Sequence, residues 1–301
     1  MKVNQLSNSD LKVSEIALGA MSLMQDRWND NKSIIDLASS IGINFIDTSD
    51  LYDKGLNEVL VGKLIKDQRD QWIIGSKVGN KWNSDGTGWD WVPSKKYIFE
   101  AIDLSLNRLG LDYLDYYQLH GGTNEDPFDE IVDAFEELVK LGKIRYYGIS
   151  SIRPNVFLKY AKDSNIIANL MQFSLLDRRP LAYLDQFEKN NVSVISRGAI
   201  AQGLLNNKDA KAYLNYTKEQ INDLQLALNQ IAEELNVSAL TLAIKYPLIH
   251  SSVKSVLIGI RTLEQMKELE LAIQDFDKIN PEYYNDLLNS LPINHYKDHL
   301  I

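Results

Sequence analysis

The chain has 301 residues, and its 32 lysines and arginines stand against 41 aspartates and glutamates, a formal charge of −9. With 45% hydrophobic and 24% charged residues, it is excluded from the disordered and fibrous classes and has material for a sizeable core. It contains no cysteine, which removes disulfides, thiolate zinc sites and a cysteine nucleophile together and suits a reducing compartment.

From the N-terminus, MKVNQLSNSDLKVS has no apolar h-region, and no later stretch approaches the ~18 uninterrupted apolar residues of a spanning helix. The expected location is the cytoplasm, with no membrane partner. Residues 2–13, with Ser-Asn-Ser-Asp in the middle, read as a short hairpin. Eight short apolar runs follow, at 14–18, 43–47, 72–77, 113–120, 144–150, 169–173, 192–197 and 253–260. Between the third and fourth, Ile98, Ile102, Leu106 and Leu109 recur at helical spacing, with Ser94 as the N-cap and Gly110 as the stop. Ile131, Ala134, Phe135 and Leu138 repeat the pattern before Gly142. The long interval 198–252 holds one helix over 220–235 and another over 238–246. Helices that separate apolar runs make those runs parallel neighbours, covered on both faces.

Eight such units are the number at which a parallel sheet closes into a (β/α)8 barrel, the TIM-barrel architecture. A doubly wound open sheet is the alternative. Its nucleotide fingerprint is missing, since Gly86-Thr87-Gly88 is the only G-x-G, lacks a third glycine at position 91, and lies in a loop beyond the third strand. No linker or composition break divides the chain, so residues 1–301 are expected to form one α/β barrel domain whose N-terminal β-hairpin plugs the bottom. The acidic balance repels phosphate backbones and no basic run reverses it, so nucleic acid is not an expected partner.

In such a barrel the chemistry sits at the C-terminal strand ends. These are occupied by Asp47 and Thr48, Lys77, His120, Ser150 and Ser151, Gln172, and Arg197, with Tyr52 in the loop after Asp47. A lysine closing an apolar strand and pointing inward needs a carboxylate, which Asp47 on the next strand can supply. A cation beside a tyrosine favours its phenolate and makes the phenol a better proton donor, while His120 can hydrogen-bond the same substrate oxygen. This equipment suits protonation of a carbonyl oxygen while hydride reaches the carbon.

At these residues the chain resembles the aldo-keto reductase family. Gly42-Ile-Asn-Phe-Ile-Asp-Thr-Ser-Asp-Leu-Tyr52 is similar to the family's first signature, the segment from Leu106 to His120 to its second, and that from Leu141 to Ser150 to its fifth-strand segment. The resemblance implies that Asp47, Tyr52, Lys77 and His120 form the catalytic tetrad, with Tyr52 as general acid. It also implies a nicotinamide cofactor across the mouth, lined by Gly19, Ala20, Met21, Asp47, Ser150, Ser151, Gln172, Arg197, Gly198, Ala199, Gly203, Leu204, Gly259, Arg261, Gln265 and Glu268. Departures are Ser151 where asparagine is usual, Arg197 where an aromatic often stacks, Ile258 for a frequent proline and Leu269 for a frequent asparagine. A guanidinium plane also stacks, and Thr262 capping a helix beside Arg261 would attract a 2′-phosphate. The cofactor expected is therefore NADPH, with NADH as a possibility. Trp82 and Trp89, with Tyr52 and His120, are expected to wall the pocket for a small-molecule carbonyl substrate.

Two competing functions share this sequence pattern. One is a non-catalytic, cofactor-binding regulatory protein on the same fold, similar to potassium channel β subunits. The other is a metal-dependent barrel hydrolase, disfavoured because His250, His295 and His299 fall outside the strand ends, so no metal site is expected.

Overall fold

The computed structural model describes residues 1–289, 291–297 and 300; His299, considered above, lies outside them. Each apolar run becomes a strand because both of its faces are covered. Leu114–Leu119 shows this most fully, with all six residues buried although the sequence is Leu-Asp-Tyr-Tyr-Gln-Leu. In chain order the strands are β1 (Val3–Gln5), β2 (Lys12–Ser14), β3 (Ile16–Gly19), β4 (Phe45–Asp47), β5 (Ile73–Val78), β6 (Asn80–Trp82), β7 (Trp89–Trp91), β8 (Leu114–Leu119), β9 (Ile144–Ile149), β10 (Ala168–Gln172), β11 (Ser193–Arg197) and β12 (Val253–Ile258). Strands β3-β4-β5-β8-β9-β10-β11-β12 form a closed parallel barrel, sealed where Ile16 pairs with Val256 and Leu18 with Ile258. This is the (β/α)8 architecture, and the open sheet is thereby excluded.

The helices α1 (Trp28–Ser40), α2 (Leu56–Ile65), α3 (Lys95–Leu109), α4 (Phe128–Lys140), α5 (Pro154–Asp163), α6 (Leu184–Lys189), α7 (Lys218–Leu235), α8 (Ala239–Leu248) and α9 (Leu263–Gln274) follow the barrel strands, and α10 (Tyr284–Asn289) trails them. Their ends follow local chemistry. The Ser94 hydroxyl accepts a hydrogen bond from the Tyr97 N–H at the start of α3, and Gly110 closes that helix in the left-handed region at φ 67°. Helices α2 and α3 approach closely at Gly62, where a Cβ would stand 2.1 Å from the Leu109 carbonyl oxygen, so a side chain there would force them apart.

The N-terminal hairpin, β1 paired antiparallel to β2, closes the bottom. Leu6, Leu11 and Val13 pack with Ala17, Phe45, Tyr116, Leu170 and Ile195 in an apolar cluster inside the strand ring. Burying one such side chain stabilises by ~1.5–3 kcal/mol. The apolar plug leaves polar groups to the opposite end.

One element departs from expectation. The Gly-rich stretch after β5 is an antiparallel hairpin, β6 against β7, with Trp82 directly opposite Trp89. Thr87 N–H donates to the Asp85 side chain at 2.9 Å and Gly86 takes φ 70°, so Asp-Gly turn chemistry reverses the chain and sets the two tryptophans at facing positions.

Candidate active site

Strand pairing builds the centre of the mouth. Asp47 pairs with Gly75 and Lys77, two residues further along β5, pairs with Gln118. Paired residues and residues two apart share a face, so all three side chains enter the barrel together. Asp47 is 2% and Lys77 1% exposed, so both charges are desolvated and depend on partners. The carboxylate is fully engaged: Oδ2 accepts from Lys77 Nζ at 2.5 Å and Oδ1 from Gln118 Nε2 at 2.6 Å. An ammonium has three donors. One goes to Asp47, one to the Thr48 carbonyl at 2.6 Å and the third to Tyr52 Oη at 3.2 Å. Burial alone would pull the Lys77 amine down, but Asp47 and Tyr52 outweigh it and hold it above its ordinary value. Lys77 is therefore a permanent cation aimed at a phenol oxygen.

Tyr52 is held by an unusual backbone. Asp53, Lys54 and Gly55 take φ values of 48°, 52° and 85° in succession, which turns the chain sharply after the tyrosine and before α2. The His120 ring lies edge-on to Tyr52, with centroids 6.1 Å apart, and its Nδ1 is 3.2 Å from Ser49 Oγ. Burial, then the Lys77 and Arg197 charges, push the imidazole down to about 3. His120 is thus a neutral ring, a hydrogen-bonding group and not an acid, across the working pH range.

The Trp hairpin frames this centre. Trp82 Nε1 donates to the Leu51 carbonyl at 3.2 Å beside Tyr52, and the Lys54 ammonium lies over its ring. Trp89, on the partner strand, is exposed. Trp91 donates to Asp126 at 2.8 Å and lies where a Cβ on Gly79, at φ 127°, would meet its ring at 2.4 Å. A glycine is required there, and the hairpin is braced against the loop after β8.

Around the rest of the mouth the predicted binding residues divide. Ser150, Gln172 and Arg197 are half-buried at the ends of β9, β10 and β11, presenting a hydroxyl, an amide and a guanidinium. Ser151 is buried, and its Oγ accepts from the Arg153 N–H while its backbone is clamped by Asn169. The loop after β11 carries Gly198, Ala199, Gly203 and Leu204 through a run of left-handed residues, Ala201, Gln202 and Gly203. Gly19, Ala20 and Met21 leave β3 in a short 3-10 turn, and Gly259 lies so close that a Cβ would meet Ser22 Oγ at 2.5 Å. Thr262 caps α9 through the Gln265 N–H, and the Gln265 side chain accepts from the Arg261 N–H at 2.9 Å. Among the described residues the exposed Arg261 guanidinium has no hydrogen bond or ion pair. Glu268 lies further along α9, beside a depression shared with Asn206 and Asn207. No group of three or more histidine, aspartate and glutamate side chains among the described residues could hold a metal.

Sequence reasoning missed three participants. Gln118 could have been found by alternation, since Tyr116 and Gln118 on β8 and His120 just past its end lie two apart. Ser49 and Asp50 stand between two selected residues without a spacing that marks them. Asp50 is buried, with Oδ1 3.1 Å from Ser49 Oγ and Oδ2 without a hydrogen-bond partner among the described residues.

The closed parallel barrel thus carries a desolvated Asp–Lys pair aimed at a tyrosine at its C-terminal mouth. The model of the aldo/keto reductase family matches residues 15–287. The chain is 46% identical over 277 residues to the uncharacterized oxidoreductase YqkF of Bacillus subtilis, covering 89% of this chain and 90% of that one. It is 28% identical to a putative voltage-gated potassium channel subunit beta of Schizosaccharomyces pombe, over 96% of this chain and 93% of that one. Among solved structures, the holo form of aldo-keto reductase AKR11C1 from Bacillus halodurans superposes with a TM-score of 0.93 at 42% identity, covering 99% of both chains. This chain belongs to the aldo/keto reductase family and is an oxidoreductase of that class.

Proposed function

We propose that the protein reduces an aldehyde or ketone to an alcohol with NADPH, Tyr52 donating the proton to the carbonyl oxygen. The observation that carries this reading is the Lys77 donor left over for Tyr52 Oη at 3.2 Å. As Tyr52 gives up its proton, negative charge develops on Oη, and a preorganised cation in a dry site stabilises it at the moment of transfer. Asp47 keeps that cation neutralised overall and fixed in direction. His120, being neutral, orients the substrate oxygen by a hydrogen bond and leaves proton donation to Tyr52.

The residues at the other strand ends fit a nicotinamide cofactor. Ser150 and Gln172 supply hydroxyl and amide partners for a carboxamide, Arg197 a guanidinium plane to lie against a ring, and the unpaired Arg261 with the N-terminus of α9 a site for a phosphate. When bound, such a cofactor supplies the hydride. The uncommitted guanidinium of Arg261 supports NADPH over NADH. Trp82 and Trp89 form one wall of the substrate pocket in this reading.

The test is NADPH oxidation by the purified chain against aldehydes, dicarbonyls, sugars and quinones. Turnover that is lost in Tyr52→Phe supports the proposal. Cofactor binding without turnover on any of them would refute it and favour the non-catalytic regulatory role instead.

A further inference from the structure

The Ser49 hydroxyl is short of one hydrogen. Its oxygen accepts from the Leu51 N–H at 3.1 Å, which leaves one lone pair and one proton for two neighbours, Asp50 Oδ1 at 3.1 Å and His120 Nδ1 at 3.2 Å. A hydroxyl has a single donor and a neutral imidazole carries its proton on one nitrogen only. The three groups can therefore satisfy each other in two ways. If Asp50 is a carboxylate, Ser49 donates to it, Nδ1–H donates to Ser49, and Nε2 is a bare acceptor. If Asp50 is a carboxylic acid, it donates to Ser49, Ser49 donates to Nδ1, and Nε2 carries the hydrogen.

We propose that Asp50 is a positioning residue which, through Ser49, sets which nitrogen of His120 carries the proton and so whether His120 offers the substrate oxygen a donor or an acceptor. The consequence for substrate rests on the carbonyl-reduction reading above; the tautomer itself does not. When Asp50 ionises, its proton leaves to solvent, Ser49 turns its hydroxyl onto the carboxylate, and the imidazole proton passes from Nε2 to Nδ1. The ring stays neutral throughout. The Nε2–H form complements a carbonyl oxygen, which only accepts, and the bare Nε2 complements the hydroxyl of an alcohol.

The surroundings make Asp50 the member of this cluster that changes charge near neutrality. Burial, then the Glu58 charge on α2, push its carboxyl up to about 7 against Ser49, Arg108 and the Leu51 backbone. Glu58 is itself occupied, accepting from Ser76 at 2.5 Å and from Arg108 of α3 at 2.6 Å. Tyr97 on α3 and Tyr117 on β8 face Asp50, and burial raises both phenols, so they remain neutral. On the other side His120 faces Tyr52 and the cations Lys77 and Arg197, and its own ring is held neutral.

The experiment reads the tautomer directly. In the full chain with 15N-labelled histidine and no substrate, the His120 ring nitrogens, assigned by their loss in His120→Gln, are followed from about pH 5 to about pH 9. The expected result is protonation moving from Nε2 to Nδ1 with a midpoint near 7 in wild type and no such movement in Ser49→Ala or Asp50→Asn. One nitrogen protonated throughout in wild type, or the transition persisting in Ser49→Ala, overturns the proposal. In turnover, KM for a carbonyl should rise about 3- to 10-fold through the same midpoint, the effect of one neutral hydrogen bond. This rise should be absent in both variants, with kcat changing less than KM. A KM profile identical in wild type and Asp50→Asn also overturns it.

Discussion

The bottom of the barrel buries Asp115 and the mouth buries Asp50 beside the fully engaged Asp47, and Asp115 and Asp50 are treated in opposite ways. At the bottom, where β8 begins, Asp115 accepts from Arg69 at 2.7 Å, from Arg145 at 3.0 Å and from the Ile74 N–H at 2.9 Å. Both of its oxygens are satisfied, and the apolar cluster of the hairpin plug closes the strand ring at the same end. At the mouth, Asp50 keeps one oxygen unpartnered among the described residues, and so do Gln118 Oε1 and Tyr117 Oη. Unpaired buried polar atoms are costly; Asp50 Oδ2 and Gln118 Oε1 lie beside the catalytic cluster, while others, such as Trp72 Nε1 just before β5, lie elsewhere in the described fold. The bottom is built for stability and the mouth for chemistry, a division expected of this architecture and expressed here in the contrast between Asp115 and Asp50.

That division can be broken from either side. The largest effect is expected from Tyr52→Phe, which keeps the ring and removes the proposed proton donor. Reduction should fall by ~10² to 10⁴ with cofactor affinity and melting temperature nearly intact, and steady-state turnover beside a fluorescence titration checks this. Lys77→Met should damage both properties at once. It removes the cation facing Tyr52 and strands Asp47 with Gln118 as its only remaining side-chain partner among the described residues, so stability should drop by ~3 to 5 kcal/mol. Replacing Asp47 and Lys77 together should cost less in denaturant unfolding than Lys77 alone, and additive losses would contradict the 2.5 Å contact. At the other end, Leu11→Ala should cost ~2 to 5 kcal/mol in unfolding while the folded fraction keeps its KM and kcat. A change in KM there would show that the ends are coupled. The smallest effect concerns the rim. Arg261→Ala should weaken NADPH by roughly 10- to 150-fold, the loss of one charge-assisted hydrogen bond, and leave NADH unchanged. Equal weakening of both would assign Arg261 to loop support.

The bottom and the walls were the more legible parts of the sequence. The eight apolar runs coincide with the eight barrel strands to within about two residues because burial on both faces leaves a continuous signal. Ser94, Gly110 and Thr262 mark helix ends because capping chemistry is local. At the mouth, Asp47, Lys77, Tyr52 and His120 stood out by residue type at strand ends, and the structure brings them together. Ser49 and Asp50 did not, since their importance depends on a serine oxygen meeting a histidine 71 residues away. The Trp hairpin reads as a loop in the sequence because two three-residue strands are too short to show alternation, and the cross-strand pairing of Trp82 with Trp89 carries no local periodicity.

The environment of Asp50 and His120 also shapes how the molecule unfolds. Folding holds a proton on Asp50 up to about 7 where the exposed group would release it near 3.8, and withholds one from His120 down to about 3 where the exposed ring would take it near 6.5. Between roughly pH 4 and pH 6.5, unfolding therefore frees a proton from the carboxyl and places one on the imidazole, with no net exchange between these two groups and solvent. Taken singly, Asp50 makes stability fall as pH rises through this window and His120 makes it rise. Together they impose a constant burden of ~4 kcal/mol, at 1.36 kcal/mol per pH unit, and cancel each other's slope. Asp50→Asn removes one side of that balance. The unfolding free energy of the variant should gain on wild type by ~1.4 kcal/mol for each pH unit across the window, turning a hidden internal proton transfer into a visible pH dependence.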